Sequence, residues 1–185
     1  MKRIISAIIM LLPLVSFAQK DTIGMNIPVN KKGSIIYTGI VNVNGKSKGE
    51  LYKNAEQWFI DYFKSSNHII QNQDNENGLI IGKGIFHFNA KFGYGLATVW
   101  YDKFTIKLEC RDGKYRYSIY DMIIYPSDRP SQEAPLEDFL GKILGTRKAP
   151  VTTLACKDVL IKNGASIATL IASLNEEMNK TISDF

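Results

Sequence analysis

The chain is poor in the residues on which most enzymes and metal proteins depend. Among 185 residues it has two histidines, His68 and His87, and two cysteines, Cys110 and Cys156, with no Cys-x-x-Cys or His-x-x-x-His spacing. A zinc site would therefore have to recruit carboxylates from dispersed positions. A nucleophilic thiol needs a neighbouring histidine to lower its pKa and orient it, and neither cysteine has one nearby in sequence. There is no Gly-x-Ser-x-Gly elbow. Gly82-Lys83-Gly84 and Gly93-Tyr94-Gly95 lack the spacing and the following helix of a phosphate loop. The acidic pairs Glu137-Asp138 and Glu176-Glu177 fall on expected helix surfaces, where solvent explains them. No catalytic residues, no metal and no cofactor are expected, and the enzyme reading is set aside.

Long apolar runs are also missing. The longest near the start, Ile4 to Val15, has twelve residues including Ser6 and Pro13, short of the roughly 20 that span a bilayer as a helix. Lys2 and Arg3 precede it and Ser16-Phe17-Ala18 follows, the positive, apolar and small-residue order of an export signal. Residues 1–18 read as a signal peptide cleaved after Ala18, so a periplasmic or extracellular address is expected, with no membrane span in the mature chain. No cysteine follows the run to carry a lipid.

Single-sign charge is scarce too. The formal net charge is +5, with no basic run of the kind that binds nucleic acid. Lys107, Arg111, Lys114 and Arg116 gather near one turn, offset in part by Glu109, so no nucleic-acid partner is expected.

What the chain does have is a strong β pattern. From Phe104 to Tyr125, two alternating runs meet at Asp112-Gly113, a turn pair that favours a two-residue hairpin of type I′. A two-residue loop sets the register by counting. Cys110 then faces Tyr115, Glu109 faces Arg116, Leu108 faces Tyr117, Lys107 faces Ser118 and Ile106 faces Ile119. One face is apolar and the other polar, as in a sheet covered on one side only.

Ser34 to Val43 reads as the first strand, and Ser47-Lys48-Gly49-Glu50 as a capping box opening a helix whose stripe is Leu51, Ala55, Trp58, Phe59 and Tyr62. His68 to Gln73 and Leu79 to Phe88 read as two strands, the second bent or bulged at Gly82 and Gly84. Asn89 to Leu96 reads as a glycine-aromatic connection. After the hairpin, Pro126 to Pro135 is a loop, Leu136 to Leu144 a short helix, and Val151 to Lys162 a helix capped by Asn163-Gly164. Ile167 to Met178 forms a last amphipathic helix. Residues 19–32 read as a flexible leader and 33–185 as one α+β domain, with 126–164 as a local elaboration.

Cys110 points to the apolar face, and Cys156 lies on a helix that can cover it. In an oxidising compartment they either form a disulfide, worth about 4 to 5 kcal/mol in the chain-entropy model, or stay buried as free thiols. Both outcomes are open at this level.

The segments SIIYTGIVNVNGKSKGELYKNAEQWF, NGLIIGKGIF and FTIKLECRDGKYRYSIYDM together resemble a family of exported bacterial proteins described as a domain of unknown function with a fold like the TATA-box-binding protein. The resemblance covers about Gly33 to Tyr125, with the last helix as a closing element. It implies a curved antiparallel sheet of about five strands in β-α-β-β-β-β-α order, with helices packed on one face. It carries over no catalytic residue. Nor does a DNA-bending fold imply DNA binding, since function belongs to sites.

The resulting expectation is an exported, non-catalytic binding domain that uses its open sheet face to engage an envelope protein or small ligand. Lys107, Arg116 and Tyr120 are the candidate binding residues, with Phe92 and Tyr94 near one end. The alternatives are an envelope or extracellular enzyme or enzyme inhibitor, whose conventional reactive groups would be Cys156, His68 and His87, and an assembly protein that accepts a partner's strand at a sheet edge.

Overall fold

The computed structural model describes residues 25, 27–64, 69–93 and 96–181. The expected signal peptide with its cleavage point, His68 and Tyr94 lie outside the described residues. Six strands form one antiparallel sheet: β1 (Tyr37–Asn42), β2 (Ile70–Asp74), β3 (Leu79–Gly93), β4 (Leu96–Arg111), β5 (Lys114–Pro126) and β6 (Ala134–Pro135). The spatial order is β1-β5-β4-β3-β2, and β6 pairs with β5 beyond the end of β1. Three helices, α1 (Lys48–Phe63), α2 (Leu136–Ile143) and α3 (Thr153–Asn179), cover one face. The α+β class, the order of elements along the chain and the one-sided helix layer agree with the sequence reading, which does not place β1 beside β5.

The β4–β5 hairpin pairs as counted, from Arg111 opposite Lys114 to Ile106 opposite Ile119. Its turn differs. Gly113 takes φ +73, whereas Asp112 does not adopt a positive φ, so the loop is not type I′. Asp112 is held by another contact: its Oδ1 accepts from Lys48 N at 2.7 Å, at the positive end of α1. Ser47 and Glu50 cap the same helix reciprocally. Further along β5 the register shifts, and Asp121 sits at φ +54. That extra residue turns Met122 and Ile124 inward and leaves Asp121 in solvent.

Asn89 to Leu96 is not a loose connection. β3 and β4 run on as paired strands to Gly93 and Leu96, because Phe88 and Ala90 continue the buried alternation. Gly82 and Gly84 do not interrupt the pairing of β3 with β4, but on the other edge the β2–β3 register shifts between Ile70, opposite Gly82, and Asn72, opposite Ile81. The two glycines make room for rings. A Cβ at Gly82 would lie 2.5 Å from Phe59, and one at Gly84 would lie 2.5 Å from Phe104 and 2.8 Å from Phe63.

Asn163-Gly164 does not end a helix; α3 passes straight through it. Asn163 is buried and donates Nδ2 to Asp102 Oδ2 at 2.7 Å. Gly164 stands where β1 comes close, with Tyr37 Oη 3.8 Å from its Cβ position. Other side-chain bonds fasten α3 and the C-terminal segment. Trp58 Nε1 donates to Ser173 Oγ at 3.1 Å, Tyr115 donates to Asn175, and buried Asn54 donates to the carbonyls of Glu177, Met178 and Lys180.

The structure bears on three further readings, one of them the open choice between a disulfide and free thiols. The leader is packed where it is described: Met25 and Ile27 are buried in the core, and Val29 bridges to Ile35 across a turn. The disulfide does not form, as both cysteines are free and buried. Cys110 pairs with Tyr115, which bonds Asn175, and Cys156 lies 19 residues back along the same helix, about 28 Å along its axis. The segment 126–164 is part of the core as well, through Leu136, Phe139, Val151, Cys156 and Val159.

Candidate binding face

Among the described residues, none of the helices covers the face opposite them. Along β4 the outward positions are Tyr101, Lys103, Thr105, Lys107, Glu109 and Arg111, and pairing extends them into rows across the sheet. Lys107, Arg116 and Tyr120 stand together on this face. Glu109 ties two of them: Arg116 donates to it through Nε and Nη2 at 2.7 Å each, and Lys107 Nζ lies 3.2 Å away. These bonds hold the Glu109 carboxyl below its usual pKa. Burial, with Asp121 beside it, raises Tyr120.

Phe92 is not on this face. Even-numbered β3 residues point to the helices, and Phe92 packs at 6.1 Å from the Trp100 ring with the Arg129 guanidinium 4.2 Å above it.

The end of the face far from the Asp112-Gly113 turn carries a row that the sequence reading missed. His87, Tyr101 and Tyr125 lie side by side on β3, β4 and β5. Tyr101 and Tyr125 stack at 5.4 Å and 19°, His87 is 6.0 Å from Tyr101, and Lys103 Nζ lies 4.8 Å from the Tyr125 ring centre. Lys103 also pairs with Glu133 at 3.0 Å. The adjoining row is Ile85, Lys103 and Ile123, and Ile85 is 45% exposed. Counting back by twos from Lys107 finds Tyr101. Tyr125 could not be found that way, because the bulge at Asp121 reverses the alternation.

The face also carries a net positive charge. Lys83 and Lys91 of β3, Lys103, Lys107 and Arg111 of β4, and Lys114 and Arg116 of β5 stand against Asp74 of β2, Glu109, Asp121 and Glu133. The other described residues hold thirteen basic and twelve acidic side chains.

A crevice of about 690 Å³ opens on the other side of the sheet, between β1 and α3, lined mainly by aliphatic side chains and the Tyr37 and Tyr117 rings. Burial, with Asp102 nearby, pushes Tyr37 up to about 12. Asp102 itself is raised well above the carboxylate range by burial, against the Asn163 hydrogen bond and aided by Glu137. Burial also raises Cys110 to about 12 and Cys156 to about 11, which leaves both thiols protonated at neutral pH. Among the described residues, no three His, Cys, Asp or Glu side chains come together as a metal set.

Residues 37–124 match DUF4468, a domain of unknown function with a TBP-like fold. The DUF4468 match spans β1 to Ile124 and so takes in most of the open face. A DUF4468 family protein from Bacteroides ovatus has a similar structure, with a TM-score of 0.65 at 14% identity over 85% of this chain and 93% of that one. A TBP-like protein from Parabacteroides distasonis superposes with a TM-score of 0.57 at 15% identity, over 80% and 97% of the two chains. At such identities the likeness concerns the fold alone. No curated protein matches the sequence.

Proposed function

We propose that this DUF4468-like chain is an exported, non-catalytic binding protein that engages its partner through the open sheet face. The observation that carries this reading is the uncovered face itself. All three helices pack on the opposite side, while Tyr101, Tyr125, Ile85 and Lys103 are presented to solvent on a rigid sheet. Tyrosine and arginine are enriched in protein interfaces, and a sheet positions them with little loss of conformational freedom on binding.

The test compares the mature wild-type protein with Tyr101→Ala/Tyr125→Ala and Arg116→Ala/Tyr120→Ala as baits in the cell envelope fraction. Circular dichroism confirms that each variant is folded, and Leu154→Ala, on the far side of the molecule, serves as the control. Wild type and Leu154→Ala retain the same partners, and at least one double variant loses them. Equal retention by both folded double variants would remove the face from consideration. Export is tested by N-terminal sequencing of the secreted product, which begins at Gln19 if cleavage follows Ala18.

A further inference from the structure

The charge on the open face restricts what can dock there. Its seven basic and four acidic side chains carry a formal +3 of the +4 on the described residues, the remainder holding thirteen basic and twelve acidic side chains. Two copies of the face brought together would repel, so a sheet-to-sheet homodimer is disfavoured. Lys83, Arg111 and Lys114 make no ion pair among the described residues, whereas Lys103, Lys107 and Arg116 are already engaged by Glu133 and Glu109. Among these basic residues stand Ile81, Ile85, Ile123 and the stacked tyrosines. A pure polyanion would leave these apolar groups unused, because polyanion affinity grows with the number of free cations it neutralises. A protein surface that mixes carboxylates with apolar side chains would use both sets.

Building on the open-face reading, we infer that the partner is an acidic protein surface, with carboxylates meeting Lys83, Arg111 and Lys114 and apolar side chains meeting Ile85, Ile123 and the Tyr101–Tyr125 pair. Charge steers the encounter and selects the partner, and the apolar contacts hold it.

The experiment is an amide NMR titration of the mature protein with a synthetic peptide of alternating glutamate and valine or tyrosine. Its analogue with glutamine for glutamate, alginate as a non-protein polyanion, and anionic phosphatidylglycerol vesicles are run in parallel. The expected result is a set of shifts confined to outward positions of β3, β4 and β5. The glutamine analogue binds about tenfold or more weakly, and so does the glutamate peptide to Lys83→Glu/Lys114→Glu, a variant at two exposed, unpaired positions. Binding by the acidic peptide weakens as salt rises. Equal binding of the glutamine analogue overturns the acidic partner while leaving the open-face reading in place. Binding of alginate or vesicles at least as tight as that of the peptide overturns the protein partner in favour of a polyanion or a membrane surface, again with the face intact. Acidic-peptide shifts that fall elsewhere on the molecule, or no shifts at all, overturn this inference, and the envelope comparison with the tyrosine and arginine variants then decides the reading beneath it.

Discussion

Asn163 in the middle of α3 donates its side-chain amide to Oδ2 of Asp102 on β4 at 2.7 Å, and both residues are fully buried. The bond ties the longest helix to the central strand. It leaves Asp102 Oδ1 and Asn163 Oδ1 without partners, a costly arrangement for an ionised carboxylate.

Burial therefore favours the neutral form of Asp102 in the folded protein, whereas the unfolded chain ionises it freely. Its raised folded pKa means that its contribution to stability is fully present below the unfolded value near 4. That contribution is lost as pH rises toward the folded value, by at most about 1.4 kcal/mol per pH unit. The lowered carboxyls Glu50, Asp74 and Glu109 act with the opposite sign, at acid pH. Asp102→Asn removes the ionisation but keeps an acceptor for Asn163. Urea unfolding at pH 5 and pH 8 will show the variant gaining on wild type as pH rises; a constant difference would mean that Asp102 ionises freely.

Gly39 and Gly164 both lie close to tyrosine rings, with opposite expected outcomes. An alanine Cβ at Gly39 would sit 2.6 Å from Tyr117 Oη and 2.7 Å from its ring, so Gly39→Ala costs about 1 to 3 kcal/mol through overpacking. At Gly164 the nearest atom is at 3.8 Å, inside a helix. Gly164→Ala stabilises by up to about 1 kcal/mol, because alanine is the better helix former. Thermal unfolding of the two variants against wild type reads both signs.

The thiols are inert while the protein is folded. With Cys156 at about 11 and Cys110 at about 12, about one Cys156 in a thousand would be thiolate at pH 8. Titration with dithionitrobenzoate finds no rapid thiol in the native protein and two after unfolding in guanidinium. A fast native reaction at either cysteine would reopen a thiol chemistry.

Asn54 of α1 closes the C-terminal end of α3 by donating to three carbonyls from a buried position. Asn54→Ala takes a donor from all three carbonyls; Glu177 O keeps Lys180 N and Lys180 O keeps Lys46 Nζ, so the cost, about 1 to 3 kcal/mol, falls mainly on the Met178 carbonyl. Hydrogen exchange in the variant is fastest over the last turns of α3. Protection unchanged there would show that the helix end is held by packing alone.

Much of the fold is legible locally. Ser47 and Glu50 announce the start of α1 because a capping box is a contact within four residues. Asp112-Gly113 set the register of β4 on β5 because a two-residue loop leaves no freedom to slip. Where the sequence misleads, a distant partner has changed the meaning of a local signal. Asn163-Gly164 has the composition of a helix cap, but Asp102 takes the amide and Tyr37 takes the space beside the glycine. Gly82 and Gly84 have the composition of a bend, yet they are clearances for rings brought in by α1 and β4. The candidate face divides the same way. Lys107, Arg116 and Tyr120 follow from the turn by counting, whereas the His87–Tyr101–Tyr125 row also needs the β3–β4 register and the bulge at Asp121.

Periodicity, caps and the central turn, all short-range signals, were enough to establish the α+β class, the order of elements along the chain, the first helix and the inward set of the main hairpin from Ile106 to Ile119. They are read from residues a few positions apart, where backbone geometry alone decides the outcome. Tertiary structure alone decided that the cysteines stay apart, that α3 is one helix, that Phe92 turns inward, and that the basic and aromatic side chains of three strands share one open face. Those outcomes depend on which surfaces meet after the chain has closed on itself, and no local pattern encodes the far side of a contact.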